Sequence, residues 1–244
     1  LYFTYALKDS QEILDAYLKD PLLQAAVSPY WGYMGLPPSM LSFMDFAMVL
    51  FAYIELKPYH LKGGSQALSN ALADEFMRSG GEVHYNCGAK RIVVKDGRIR
   101  AVVTEDGDEI STSYVVSNAG PITTLVDMIG PEHCPAEQLK ALKERTIGLS
   151  ACTIYMGFDC EPAELGLDVA TNFISTTPDN DLAYARQKGL DTPATALLTC
   201  YDVDDPDFSP PACCQASLVT LLYGEPWLSI PAGRYHEEKY AYAR

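Results

Sequence analysis

The chain has 244 residues, 48% of them hydrophobic and 11% aromatic, with a formal net charge of −14 at pH 7. That length and apolar content exclude a disordered chain and allow one large domain or two smaller ones. The charge excludes a phosphate-gripping nucleic-acid binder and an electrostatic landing on anionic lipid, both of which need clustered Lys and Arg. Residues 1–57 read as helical. Asp9 and Ser10 can cap a helix over Gln11–Lys19, Asp20-Pro21 breaks it, and Ser39/Met40 opens a long apolar helix. Ser28–Ser39, with three prolines and two glycines, reads as a loop. The apolar run Met40–Leu56 contains Asp45 and Glu55. It is shorter than the about 20 apolar residues of a bilayer span, so a buried or membrane-touching helix fits it.

Gly63-Gly64 ends an extended approach and opens a helix in which Ala67, Leu68, Ala71, Leu72 and Phe76 recur at helical spacing. Ser79-Gly80-Gly81 stops it, because glycine accepts a left-handed cap. Strands are expected at Val83–Asn86, Ala89–Val94, Ile99–Thr104 and Tyr114–Ser117, separated by Lys-Asp-Gly and Glu-Asp-Gly-Asp turns. The last of these reads as a buried strand ending in the small residues Ser117–Gly120. Helices follow near Ile122–Ile129, Pro135–Thr146 and Asp179–Lys188. Strands follow at Ser150–Phe158, Thr171–Ser175, Thr195–Tyr201 and Ala216–Tyr223. Long antiparallel strands covered by helices make an α+β layer, suited to the floor of a large apolar pocket.

Conventional catalytic constellations are missing. No Gly-x-Ser-x-Gly occurs, and none of the four histidines has a ligand-like neighbour three or four residues away, so no metal is expected. The seven cysteines are odd in number and include the vicinal pair Cys213-Cys214; free thiols suit a reducing cytoplasm. No signal peptide is visible. Asp45 and His60 are the titratable residues to watch, each read as structural: the polar edge of a packed helix and a satisfied loop histidine. The sixteen tyrosines are scattered and form no recognisable cage.

The order Tyr59-His60-Leu61-Lys62-Gly63-Gly64, helix, strands, Val115-Val116-Ser117-Asn118-Ala119-Gly120 resembles the phytoene dehydrogenase-related branch of the FAD-dependent amine oxidase superfamily. Tyr17–Leu23 and Gly32–Ser39 upstream, and Ser209-Pro-Pro211, Ala216–Leu222, Trp227 and Tyr235–Lys239 downstream, follow the same order. Leu61 stands where that branch usually has proline. The chain has no Gly-x-Gly-x-x-Gly and begins at Leu1, so it reads as an internal piece of a longer protein.

The resemblance implies an α+β (α/β) fold. Residues 1–58 would be a helical part of the substrate domain, and 59–120 the second part of an FAD-binding domain lacking its N-terminal Rossmann βαβ. Residues 121–244 would form a substrate domain with a mixed, largely antiparallel sheet. FAD would be the cofactor of the longer protein, and the piece itself would bind it weakly and be inactive. Lys62, Gly63 and Gly64 would face the flavin and the substrate. Ala89 would meet the adenine through its backbone, and Ala119 and Gly120 would lie near the ribose or pyrophosphate. The implied reaction is hydride transfer between flavin and a lipophilic, isoprenoid-like substrate, with stretches 40–56 and 216–230 lining the pocket or touching a membrane. The implied location is cytoplasmic or peripheral to a membrane, and a truncated surface could drive oligomerisation. Two alternatives stand beside this: a flavin amine or amino-acid oxidase, and a cofactor-free module that binds lipid or protein.

Overall fold

The computed structural model describes residues 2–145, 148–190 and 192–244; the end of the helix expected to reach Thr146 lies outside them. The N-terminal helices are α1 (Tyr2–Tyr5), α2 (Ser10–Tyr17), α3 (Pro21–Val27), α4 (Trp31–Met34) and α5 (Phe43–Phe51), the last running on as a π-helical turn over Ala52–Leu56. Their boundaries follow local chemistry. Asp9 accepts the Glu12 amide while the Glu12 carboxylate accepts the Asp9 amide, a reciprocal cap worth about 1 kcal/mol at α2. Asp20 caps α3 with Pro21 in its first turn. The loop expected at Ser28–Ser39 contains α4, and the long apolar helix starts at Phe43 behind Ser42 rather than at Met40. The Ser10 amide and hydroxyl both bond the Leu41 carbonyl, which holds residues 39–42 out of the helix.

Next come α6 (Gly64–Arg78), strands β1 (Ala89–Lys95), β2 (Arg98–Thr104) and β3 (Glu109–Ser111), a π-helical segment over Thr123–Ile129, and α7 (Ala136–Lys143). Gly80, at φ 90°, closes α6: the Gly81 amide bonds the Phe76 carbonyl and the Gly80 amide that of Met77, the two bonds of a Schellman cap. β1 and β2 join through Asp96-Gly97, both at positive φ (53° and 67°), the two-residue turn whose twist matches antiparallel strands. Two expected strands are not strands. Val83–Asn86 forms no strand and ends in a turn at Tyr85-Asn86, and Tyr114–Ser117 pairs with nothing among the described residues. Nor is the second one buried, since Val116 is fully exposed. Val and Tyr favour extended backbone, but a strand also needs a partner for its amides and carbonyls, and neither run has one here. The apolar face of α6 is likewise uncovered, with Leu68, Leu72 and Phe76 all exposed.

The remaining elements are β4 (Leu149–Phe158), β5 (Thr171–Ser175), α8 (Asn180–Arg186), β6 (Thr195–Thr199), β7 (Cys214–Tyr223), α9 (Glu225–Leu228) and α10 (Tyr235–Ala243). The four strands form one sheet in the order β4-β7-β6-β5, antiparallel at every pairing rather than mixed. β4 and β7 stay in register over ten residues, from Leu149 opposite Tyr223 to Phe158 opposite Cys214.

The chain divides into two compact units, one of residues 1–69 and 148–244, the other of residues 70–147. In the first, the period of two along the sheet separates two sets of side chains. Cys200, Cys214 and Ala216 are buried with Met156, Phe158 and Leu198 against them. The alternate residues Phe173, Leu197 and Val219 stand side by side across β5, β6 and β7. A second core, built on Trp31, Leu41, Phe46, Ala183, Tyr184 and Ala194, joins the N-terminal helices to α8. In the second unit, Ile92 and Ala101 of the β1–β2 hairpin are buried, and β1 packs beside the Thr123–Ile129 helix.

Candidate functional site

A cavity of about 870 Å³ lies in the first unit. Its floor is the Phe173, Leu197, Val219 row of the sheet together with Leu221. Its opposite wall comes from α3, α4 and the residues between them. None of its lining residues carries Asp, Glu, Lys, Arg or His. Several are polar by type, yet their groups are already engaged. Trp31 Nε1 donates to Asn180 Oδ1 (2.9 Å), and Asn180 Nδ2 donates to the buried Ser28 Oγ (3.0 Å). Asn172 Nδ2 donates to the Val169 carbonyl, Ser175 Oγ to that of Thr177, and Thr176 Oγ1 to that of Ala194. The interior therefore presents mainly hydrocarbon, in the size range of small-molecule sites. Of the two stretches expected to line it, 216–230 supplies Val219 and Leu221, whereas 40–56 supplies nothing. α5 buries Phe46 in the core and turns Met48 and Phe51 outward.

One flank of the cavity is aromatic. Phe173 of β5 meets Tyr30 at 5.3 Å and Tyr33 at 5.9 Å between ring centroids, both edge-on, and Tyr53 backs all three at 4.5–6.2 Å. Edge-to-face rings attract beyond their area burial. Burial, and behind it the Tyr53 hydroxyl, hold the Tyr33 phenol well above its ordinary range, so this flank is uncharged too. The tyrosines are scattered along the sequence: Tyr30 and Tyr33 are three apart, at helical spacing, but Tyr53 is twenty residues further on and Phe173 more than a hundred beyond that. Nothing linear marks the four as neighbours.

The Gly63-Gly64 turn is held against the loop that follows β6. Both glycines have positive φ (79° and 74°), and a Cβ on Gly64 would come within 3.2 Å of the Phe208 ring. His60 stacks on Tyr201 at 4.4 Å, meets Phe208 edge-on at 5.2 Å, and places Nε2 3.5 Å from Asp205 Oδ2. It is thus a docked histidine, consistent with a structural role, although Nε2 is buried and makes no hydrogen bond among the described residues. Lys62 approaches Asp207 at 3.9 Å with both side chains in solvent, an ion pair of little energetic weight. Asp45 is exposed on α5.

The expected cofactor-contacting residues fall in both units. Lys62, Gly63 and Gly64 belong to the first; Ala89, Ala119 and Gly120 belong to the second. Ala89 opens β1 opposite Thr104, and Ala119 and Gly120 are exposed just before the helix that packs on β1. A Cβ on Gly120 would meet nothing within 4 Å, and the amides of Val115 and Val116 make no hydrogen bond among the described residues. Open backbone and small side chains are what a close-lying dinucleotide needs, so these residues fit FAD. Among the described residues no group of three His, Cys, Asp or Glu is placed to hold a metal, and all seven cysteines are free thiols. No helix among them is long and apolar enough to cross a membrane.

Residues 7–216 match the model of the flavin containing amine oxidoreductase family, and the chain belongs to that family. Its relatives include the 4,4'-diapophytoene desaturase (4,4'-diapolycopene-forming) of Methylomonas sp., 26% identical over 52% of this chain and 25% of the relative. Another is the inactive all-trans-retinol 13,14-reductase of Danio rerio, 32% identical over 55% of this chain and 23% of that one. These likenesses support a phytoene dehydrogenase-related member of the superfamily, and the chain spans about a quarter of each relative's length. An oxidoreductase from Methanosarcina mazei shares the fold with a TM-score of 0.63 at 16% identity, over 96% of this chain and half of that one. A putrescine oxidase variant does so at 0.54 and 12%, over 98% of this chain and half of that one.

Proposed function

We propose that this chain forms the ligand-holding part, and a portion of the cofactor-holding part, of an FAD-dependent oxidoreductase acting on an uncharged, lipophilic, isoprenoid-like substrate. The observation that carries the reading is the cavity of about 870 Å³ with no Asp, Glu, Lys, Arg or His in its lining. An ammonium or carboxylate placed there would lose its hydration and find no counter-charge, at a cost of several kcal/mol or a forced change of protonation. A hydrocarbon loses nothing of that kind and gains about 25 cal/mol for each Å² it removes from water. The same argument weighs against the amine and amino-acid alternative.

FAD, when bound, supplies the hydride chemistry. The residues offered for its contacts are Lys62, Gly63, Gly64, Ala89, Ala119 and Gly120. The chain's own share of the work is to keep water from the substrate, through the sheet floor and the aromatic flank, and to fix its orientation by shape.

Trp31 lines the cavity and is one of only two tryptophans, so ligand entry can be read from its fluorescence. Retinol should quench Trp31 by energy transfer, saturably, while putrescine and a free amino acid should give no binding by calorimetry. Saturable binding of the charged ligands with none of retinol would overturn the reading. Protein purified from the complete reading frame should show flavin absorption in the blue and near ultraviolet.

A further inference from the structure

We propose that Phe173, seated among Tyr30, Tyr33 and Tyr53, sets the length of ligand that the cavity accepts. This rests on the cavity being the ligand site. β5 is an edge strand, and its register places Phe173 at the end of the Phe173, Leu197, Val219 row that makes the floor. The gap between the sheet and the helical wall is bridged there by rings. Phe173 reaches Tyr30 and Tyr33 of the opposite wall at 5.3 and 5.9 Å, and Tyr53, which does not line the cavity, stands behind them. Elsewhere along the floor the row carries aliphatic side chains, whose removal would deepen the cavity without opening a flank.

Size gives the scale of the effect. At about 30 Å³ for a water-sized group, 870 Å³ holds on the order of 30 non-hydrogen atoms. Replacing the benzyl side chain by a methyl group removes six ring carbons, which leaves room for about six more chain atoms. Phe173 is 37% exposed and belongs to neither buried core cluster, so the change should leave the fold standing.

The test compares retinol with an uncharged linear polyene about half as long again, using energy transfer from Trp31 in the wild type, Phe173→Ala and Phe173→Leu. Circular dichroism verifies each fold. The expected result is that the affinity ratio of the longer polyene to retinol rises about tenfold in Phe173→Ala, with Phe173→Leu between it and the wild type. An unchanged ratio in either folded variant, with retinol still bound, overturns the role of Phe173 and leaves the cavity as the ligand site. No energy transfer from any polyene in the wild type overturns the ligand site itself, and the length determinant with it.

Discussion

Asn180 is the side chain on which the helical wall of the cavity hangs. Its carbonyl accepts from Trp31 Nε1 at 2.9 Å and its amide donates to Ser28 Oγ at 3.0 Å, and those partners are 2% and 0% exposed. In Asn180→Ala both bonds disappear, and both partners stay in the interior without water. Two net hydrogen bonds account for about 1–3 kcal/mol, and two stranded polar groups raise the total to roughly 2–4 kcal/mol. For a domain of this size that is a fall in melting temperature of roughly 5–15 °C. Asn180→Asp keeps an acceptor for both groups and should recover a good part of the loss. Urea unfolding with a double-mutant cycle against Ser28→Ala gives the coupling directly. A loss below about 0.5 kcal/mol, or strict additivity with Ser28→Ala, would refute the claim that this bridge fixes the wall. Weaker quenching of Trp31 by retinol should accompany the loss, since the wall and the cavity are the same structure.

Gly64→Ala should destabilise the first unit by about 1–2 kcal/mol, because its backbone is left-handed and the new methyl would press on Phe208; an unchanged urea midpoint would show the turn to be plastic. Tyr223 is pushed up to about 12 by its 2.5 Å hydrogen bond with Tyr184 and then by burial. A phenol raised in the folded state stabilises it fully below its unfolded value near 10, and that contribution drains away as pH climbs from about 10 through 12. Melting temperature should therefore fall across that window, and among the late-titrating tyrosines seen by tyrosinate absorbance, one should move toward 10 in Tyr184→Phe. A titration in Tyr184→Phe identical to the wild type would contradict the assignment.

How much could be read from the linear chain depended on the range of the interaction. Asp9 with Glu12, Asp20 with Pro21, Gly80 behind Phe76 and Asp96-Gly97 between two β-branched runs each act within about five residues, and each gives the cap or turn it implies. The strands β4 to β7 were legible within about two residues at each end, from Thr, Tyr, Val and Leu between turn formers. Long antiparallel strands with helices covering them also suggested the floor of a large apolar pocket before any contact was known.

Partners were not legible. Val83–Asn86 and Tyr114–Ser117 have strand composition, but a strand exists only where another backbone answers its amides and carbonyls, and among the described residues none does. The pocket went to α3, α4 and the sheet instead of the Met40–Leu56 run, whose Phe46 is buried in the core. Only tertiary packing set Phe173 among three tyrosines and Asn180 between Trp31 and Ser28, joining residues more than a hundred positions apart. Local sequence carries short-range torsional and capping preferences; which side chains face one cavity is decided by where separate elements stack, and a one-residue shift of register would have turned Phe173 to the other face.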